Sequence, residues 1–404
     1  MPLYRDRVAE ELEGKKSEFR GELSREAIEE HTEAADQLSS NFSKEEIEEE
    51  LEDIDLPGAL PTEEFSEFDG IVVPFEESSE WSSHEEVNRW ARSHLEGNIT
   101  VAADGSQIDP VTQFEQPVGL VQVIRLTNNH SSEKDYEEIA ETEVLTPEDL
   151  LFENPNSGYV QVDEQEVPVS RFEKEMQVLE EKIREIADGD EQAVVMYDGS
   201  LILSFTQMFD QKTQKRYSEA LTRLLAASKH HEVPVIGYIS GSKATELGNM
   251  LKKLNQVDTA RPVRDYQFLE DLVEDWGSRT VLFSSHRDRT QEQLSGKYRG
   301  REFDFSEDIL FTYLDIGPGA QIDRVEMPRW IHNKGLTDEV ISLVRAEAGV
   351  GRGYPEILQA ADADAVISHQ DREEFLRMYQ DFSDENDIEL RWNNKALSKK
   401  RRRR

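Results

Sequence analysis

Asn98–Ser106 reads NITVAADGS and Ala193–Ser200 reads AVVMYDGS, so two apolar runs of this chain end in the same tripeptide, Asp-Gly-Ser. Apolar runs of this length predict buried strands, and the glycine lets the backbone turn directly after each one. Asp104 and Asp198 therefore lie at the tips of two predicted strands. Carboxylates that meet at neighbouring strand ends can bind a divalent cation, because Mg²⁺ and Mn²⁺ prefer oxygen ligands.

A helix is predicted between these two strands, over about residues 170–187. Its apolar residues recur at intervals of four and three and form one stripe: Phe172, Met176, Leu179, Ile183 and Ile186. At about 100° per residue, Glu175 lies nearest to the centre of this stripe, and Glu180 is the second choice on its other side. Glu173 lies further round, and Glu181 points to solvent. Glu175 is therefore the best candidate for a third carboxylate at the strand tips.

Strands alternate with helices along most of the chain, which predicts a layered α/β fold. Strands are predicted at 99–103, 118–126, 233–239, 309–315 and 322–327, with a further helix near 214–230. The order strand-Asp, helix-Glu, strand-Asp is the one in which ribonuclease-H-like folds hold two metal ions. We therefore expect a ribonuclease-H-like mixed sheet flanked by helices. Two cations can activate a water and stabilise the leaving oxygen of a phosphodiester.

Composition divides the chain into three segments. Residues 1–65 predict helices whose apolar stripe is too sparse for an independent core, so we expect them to contact a partner or a second copy of the chain. Residues 66–385 form the expected nuclease domain, in which the polar stretch at about 265–308 predicts a helical insertion. Residues 386–404 form a basic tail ending in KKRRRR, which either contacts DNA or an acidic partner or is disordered.

Acidic residues are spread over nearly the whole chain, with 86 Asp and Glu against 46 Lys and Arg and a net charge of −40. Such a surface is typical of a salt-adapted protein. The absence of cysteine excludes disulfides, zinc–thiolate sites and a thiol nucleophile. No apolar stretch approaches the roughly 18 residues of a membrane helix, and the N-terminus lacks the apolar centre of a secretory signal. We therefore expect a soluble, cytoplasmic protein that does not bind membranes.

Six motifs in one order resemble the NurA family of nucleases, which act with the HerA hexameric DNA translocase in end resection. The resemblance covers about residues 95–370. Three motifs match the family's acidic motifs: VAADGS with Asp104, RFEKE with Glu175 and VVMYDGSL with Asp198. The other three are VIGYIS followed by Lys243, IDRVEMP with Arg324, Glu326 and Pro328, and GYPEILQAADADAVIS with Tyr354. Each motif alone is weak, and the six in order are specific.

One position departs from the family pattern. Where the family commonly has Ala-His on the closing helix, this chain has Ala361 and Asp362. A carboxylate can replace an imidazole as a ligand of Mg²⁺ or Mn²⁺, but it cannot replace a protonated imidazole beside a leaving phosphate. Either the metal site is kept with altered acid–base behaviour, or the site is weakened.

The resemblance implies a divalent-metal-dependent deoxyribonuclease with 5′–3′ exonuclease activity, and it allows single-strand endonuclease activity as well. It implies a role in DNA end resection and double-strand-break repair. It implies a homodimer, a HerA-like hexameric partner, and two Mn²⁺ or Mg²⁺ ions. The implied metal ligands are Asp104, Glu175, Asp198 and Asp362, the implied catalytic set adds Tyr354, and the implied DNA contacts are Lys243 and Arg324.

Alternatives remain for individual residues and for the whole protein. Tyr354 either packs or hydrogen-bonds the scissile phosphate. Lys243 either touches a DNA phosphate at a helix N-terminus or is an exposed lysine without a ligand. The protein itself is alternatively a weakened adaptor of the same fold that binds the translocase and DNA, or a metal phosphohydrolase acting on small phosphate esters.

Overall fold

The computed structural model describes residues 3–16, 22–68, 70–81, 83–111, 114–131, 136–154, 158–187, 189, 192–259, 261–317 and 322–390. The basic tail predicted over 386–404 lies outside the described residues from position 391 onward. Among the described residues, no helix is both long and apolar enough to span a membrane.

The strands are β1 (Gly58–Pro61), β2 (Val72–Val73), β3 (Ile99–Ile108), β4 (Gly119–Asn128), β5 (Tyr136–Leu145), β6 (Leu151–Glu153), β7 (Val160–Val162), β8 (Ala193–Asp198), β9 (Val235–Ile239), β10 (Arg279–Thr280), β11 (Phe283–His286), β12 (Ser295–Tyr298), β13 (Arg301–Asp304), β14 (Ile309–Asp315) and β15 (Ile322–Pro328).

The helices are α1 (Arg5–Gly14), α2 (Glu22–Asp36), α3 (Leu38–Asn41), α4 (Lys44–Leu51), α5 (His84–Leu95), α6 (Pro147–Leu150), α7 (Glu166–Ile186), α8 (Gln211–His231), α9 (Glu246–Lys253), α10 (Asp265–Leu269), α11 (Arg329–Asn333), α12 (Thr337–Val350), α13 (Glu356–Ala365) and α14 (His369–Glu385). Short 3₁₀ turns span Glu63–Ser66, Glu76–Glu80, Ser204–Met208 and Thr290–Gln293.

One large mixed sheet organises the molecule, with its strands in the order β1-β11-β14-β15-β9-β8-β3-β4-β5. β3, β4 and β5 form an antiparallel meander, whereas β8 pairs parallel with β3 and β9 pairs parallel with β8. By chain position, these five strands lie in the order 3-2-1-4-5, which is the ribonuclease-H-like order. The predicted fold class is therefore confirmed.

Both faces of this sheet are buried. One face packs on α7 and α8, and the other packs on α5, α12 and α13. Because side chains alternate along a strand, Val101 and Ala103 belong to the first core while Ala102 belongs to the second. Burial on two faces explains why β3 and β8 are nearly continuous apolar runs.

Most helices of the N-terminal segment pack on their own chain, and a contact with a partner or a second copy stays a prediction. Ala27, Leu38, Ile47 and Leu51 are buried in a third core, shared with β11, β14, α9 and α10. β1 is itself a strand of the central sheet. A sparse stripe is sufficient here because the rest of the chain supplies the opposing apolar surface. Of these helices, α1 buries no side chain.

The segment at about 265–308 is not the helical insertion that its polar composition predicted. It contains the short α10, but β10 and β11 extend the central sheet, and β12 and β13 form a hairpin. Polar residues in these strands are buried with partners. The guanidinium of Arg279, for example, donates to both carboxylate oxygens of Glu64 at 2.8 Å. A strand whose buried residues are paired charges lacks the apolar alternation by which strands are predicted from sequence.

Candidate active site

The two Asp-Gly-Ser aspartates lie where the parallel pairing of β3 with β8 ends. Ala103 of β3 pairs with Tyr197 of β8, so Asp104 and Asp198 occupy the next position of two neighbouring strands. β8 ends at Asp198 as predicted, but β3 continues past Asp104 in its pairing with β4, so the strand tip predicted at Asp104 is wrong. Neighbouring strands lie about 4.8 Å apart. Side-chain alternation places Asp104 on the same face as Ala102, under α13.

Glu175 reaches the same edge from the opposite face. It lies on α7, is only 4% exposed, and has Arg171 one turn earlier, with the Arg171 Nε 3.4 Å from Glu175 Oε1. Arg171 also donates to the carbonyl of Gly105 at 3.0 Å. A Cβ at Gly105 would lie 2.7 Å from Glu175 Oε1. Gly105 lies inside β3 and not in a turn, so its lack of a side chain serves to leave room for the glutamate.

One oxygen of Glu175 lacks a hydrogen bond. Among the described residues, no donor meets the buried Oε1 in hydrogen-bonding geometry, although the Gly105 amide lies near enough to lower the pKa slightly. Burial is the main cause that raises the pKa of Glu175 to about 8, Arg171 opposes it, and Asp104 and Asp198 raise it further. Glu175 is therefore a buried acid whose charged form is compensated only in part, by Arg171.

The two aspartates are affected in the same direction. Burial raises the pKa of Asp104, opposed by the Gly105 amide and Arg171, and Asp362 raises it further. Burial likewise raises the pKa of Asp198, opposed by a hydrogen bond from Tyr354, and the charges of Asp104 and Asp362 add to the increase. The carboxylates are thus close enough to repel one another. A bound cation would favour their charged forms.

The closing helix adds two of the predicted residues to this edge. Tyr354 precedes α13, and its phenol lies near enough to Asp198 to lower the pKa of that carboxyl, while burial followed by the Asp198 charge raises the pKa of Tyr354. Its ring meets that of Tyr238 edge-on, with centroids 5.2 Å apart. Asp362 is exposed on α13 and acts on Asp104 and Asp198 through its charge. The packing role considered for Tyr354 is therefore present, whereas hydrogen bonding to a scissile phosphate stays a prediction.

Glu180, the second choice for the helical ligand, does not belong to this site. Its carboxylate accepts from Arg223 at 2.8 Å and lies 3.9 Å from Arg184, in the groove between α7 and α8. Glu173 is paired with Arg216 at 2.6 Å in the same groove. Of the α7 glutamates that the sequence offered, the structure brings Glu175 to the aspartates.

Arg324, predicted to contact DNA, is 1% exposed. Its guanidinium pairs with Glu246 at 2.5 Å and with Glu326 at 2.8 Å. A side chain buried in this way cannot reach DNA, so the structure contradicts that prediction. Lys243 is exposed in the connection between β9 and α9, where a contact with a phosphate is sterically open.

Two residues near the site were not assigned a role from the sequence. Arg171 is the nearest cation to Glu175, and its i, i+4 spacing in RFEKE was the signal that could have found it. Glu326 accepts from the backbone N–H of Leu201 at 2.7 Å, close behind Asp198. No local spacing predicts that contact, because the two residues are 125 positions apart.

The donor set fits a divalent cation by its chemistry. The three acids and Asp362 offer carboxylate oxygens, which suit Mg²⁺ and Mn²⁺, and Glu175 Oε1 is a buried oxygen without a hydrogen bond. Among the described residues, however, no three His, Asp or Glu side chains are arranged so that they could hold one ion. Binding therefore requires these side chains to close around the ion.

Comparisons with known proteins were made by sequence and by structure. A family model described as the NurA domain matches residues 98–367. No curated protein matches the chain. Among solved structures, the catalytic domain of human endonuclease V matches with 13% identity and a TM-score of 0.33, covering 76% of this chain and 99% of that one. So distant a likeness adds nothing to the fold assignment, which depends on the strand order.

Proposed function

Because this chain belongs to the NurA family of nucleases, we propose that it is a divalent-metal-dependent deoxyribonuclease that hydrolyses phosphodiester bonds at the carboxyl edge of its central sheet. The observation that carries the proposal is the placement of Asp104 and Asp198 side by side on neighbouring strands, with Glu175 buried near them on the other face and one of its oxygens without a hydrogen bond. The metal dependence, the substrate and the partners are all part of the proposal.

Asp104, Glu175 and Asp198 would hold Mn²⁺ or Mg²⁺, in two ions by family resemblance, with Asp362 as a further ligand. The cations would lower the pKa of a bound water and stabilise the charge that develops on the leaving oxygen. Since carboxylates supply the ligands and water supplies the nucleophile, no covalent enzyme intermediate is required.

The chain's own residues orient this set of acids. The phenol of Tyr354 stays protonated at neutral pH, because its pKa is raised, and so it can donate to Asp198, which lies near it. The guanidinium of Arg171 bridges Glu175 and the Gly105 carbonyl, which ties α7 to β3. Together these contacts fix the carboxylates from both faces of the sheet.

Access of DNA to this edge is opposed by the charge of the protein. A net charge of −40 repels phosphates, and counterion release contributes little at high salt. Lys243 is the predicted phosphate contact that the structure leaves exposed. We therefore propose that a HerA-like hexameric translocase delivers DNA to a homodimer of this chain, in end resection and double-strand-break repair.

Cleavage of linear DNA by the purified full-length protein tests the proposal. We expect activity that disappears with EDTA and returns with added Mn²⁺, and an Asp104→Asn variant that folds but is roughly 1,000-fold slower. Asp364→Asn, an exposed neighbour on α13, is the matched control and should keep its activity. Undiminished cleavage by Asp104→Asn, or cleavage that persists without metal, would contradict the proposal.

A second candidate is favoured by Asp362, which stands where the family commonly has histidine. Its charge raises the pKa of Asp104 and Asp198 and so opposes their ionised forms when no metal is bound. An adaptor with a weakened site would bind the translocase and DNA but cleave nothing at any Mn²⁺ concentration. Cleavage and hexamer binding, measured on one preparation, separate the two functions.

A further inference from the structure

Three charged side chains form a buried network behind the site: Glu246 of α9 and Arg324 and Glu326 of β15. Each is at most 1% exposed. Arg324 donates to both oxygens of Glu246, at 2.5 and 3.0 Å, and to Glu326 Oε1 at 2.8 Å. Its guanidinium also lies 3.9 Å from the ring centroid of Phe311. Burying three charges is unfavourable unless their geometry is well satisfied, so this network is a rigid feature of the fold.

The second oxygen of Glu326 leaves this network and contacts the turn after β8. Glu326 Oε2 accepts from the backbone N–H of Leu201 at 2.7 Å and from the Ser200 hydroxyl at 2.9 Å. Arg287 adds a contact from the other side, donating to the carbonyl of Ile202 at 3.0 Å. The turn is therefore fixed by charged hydrogen bonds, which are stronger than neutral ones.

The turn lies directly against the sheet. Gly237 of β9 is paired with Glu326 of β15, and a Cβ at Gly237 would lie 2.6 Å from the carbonyl oxygen of Gly199. The amide of Gly199 donates to the carbonyl of Tyr238 at 3.0 Å. Directly after Asp198 the chain therefore turns, packs against β9 and reaches Glu326. The course of this turn determines the backbone position from which the Asp198 side chain projects.

We propose that Glu326 is a positioning residue for Asp198 in the nuclease proposed above, on which this inference rests. By holding the amide of Leu201 and the hydroxyl of Ser200, it fixes the turn and thereby the direction of the Asp198 carboxylate. A displacement of about 1 Å at a reacting centre can lower a rate roughly 100-fold. Loss of a supporting contact to a metal ligand typically weakens metal binding or activity by about 10- to 100-fold.

A matched control exists at the other end of the sheet. Glu64 is also buried and also paired with an arginine, Arg279, in this case through both terminal nitrogens at 2.8 Å, and it also accepts from a backbone N–H, that of Leu282, at 2.9 Å. Its contacts lie among β1, β2 and β10, away from Asp198. Substitution of Glu64 therefore reproduces the chemistry of the change without touching the turn.

The test compares Glu326→Gln with Glu64→Gln by Mn²⁺ calorimetry, nuclease kinetics and hydrogen exchange. Both variants should melt at a lower temperature than the wild type. Only Glu326→Gln should speed exchange at residues 199–202, weaken Mn²⁺ binding about tenfold and lower kcat. Ser200→Ala removes one of the two contacts of Glu326 Oε2, together with the hydroxyl's bonds to Ile202 and Arg287, and leaves the buried ions intact. It should weaken Mn²⁺ binding less, and it serves if Glu326→Gln does not fold.

The outcomes separate this inference from the proposed function. Unchanged exchange at 199–202 in Glu326→Gln, or an equal loss of Mn²⁺ affinity in Glu64→Gln, would overturn the positioning role even if the protein is a nuclease. If the wild type cleaves no DNA, the proposed function fails. In that case, faster exchange and weaker Mn²⁺ binding in Glu326→Gln alone would still support control of Asp198 by Glu326.

Discussion

Glu175 and Glu180 lie five residues apart on α7, and each is 4% exposed, yet their surroundings differ. Glu180 is bonded to Arg223 at 2.8 Å, with Arg184 nearby, so its charge is compensated. Glu175 has Arg171 at 3.4 Å but an oxygen without a hydrogen bond, and two aspartates lie near it. Burial alone therefore does not identify a functional acid. Charge that the protein compensates only in part is the more informative sign.

The largest expected difference between the two glutamates is in catalysis. Glu175→Gln should lower the rate of DNA cleavage roughly 1,000-fold, because it removes a proposed metal ligand. The cleavage rate of Glu180→Gln should stay within about threefold of the wild-type rate. This variant should lose only about 1 kcal/mol of stability, since it weakens the ion pairs with Arg223 and Arg184. Single-turnover cleavage at saturating Mn²⁺ measures the first effect, and urea unfolding measures the second. Equal loss of activity in both variants would remove the distinction.

The next effect is on stability in the absence of metal. The pKa of Glu175 is about 8 in the folded protein against an ordinary 4.5, so folding takes up a proton between these values. Stability is therefore lost as the pH rises through this window. Glu175→Gln stays neutral, and its free energy of unfolding should exceed that of the wild type by a margin that grows to on the order of 2 kcal/mol.

Urea unfolding in EDTA at about pH 5 and about pH 8 measures this margin. Titrations elsewhere on this acidic surface cancel in the difference between the wild type and Glu175→Gln. The same difference for Glu180→Gln provides the comparison and should not show this increase with pH. A margin for Glu175→Gln that does not grow with pH would show that Glu175 is ionised in the folded protein at neutral pH.

The smallest effect concerns Asp362. Because its charge raises the pKa of Asp104 and of Asp198, Asp362→Asn should lower the pKa of both aspartates in the metal-free protein. Carbon-13 NMR of carboxyl-labelled aspartate measures these titrations. Asp364→Asn, two positions further on the same helix, should leave them in place. Unshifted titrations in Asp362→Asn would mean that Asp362 does not face the site.

The positions of the candidate acids were partly predictable from local sequence. The strand before Asp198 ends at that residue as predicted, whereas β3 continues past Asp104, and the stripe on α7 orients Glu175 without knowledge of the rest of the fold. β5 was missed because its residues on the side of α7 are mostly glutamates, two of which pair with Lys174 and Lys182 of that helix. On that edge strand, acid on the face toward the helix hides the alternation.

The errors have a common cause, which is pairing between distant residues. Arg324 was predicted to contact DNA, but Glu246 and Glu326 pair with its guanidinium inside the core. Arg279 is buried in the same way by Glu64, 215 positions away. The sparse stripe of the N-terminal helices finds its partners on α9 and α10. The local sequence does not show which distant residue will pair with a given side chain. Buried charged residues and sparsely apolar helices were therefore both predicted to lie at the surface.

Anomalous diffraction from crystals soaked in Mn²⁺ tests most directly whether the acids share bound ions. The account predicts at least one manganese peak beside Asp104 of β3 and Asp198 of β8. Oxygens of Asp104, Asp198 and Glu175 should lie around it at about 2.0–2.2 Å, the distance typical of small divalent ions. The absence of a peak there at saturating Mn²⁺, or a peak whose ligands exclude Glu175, would contradict the account.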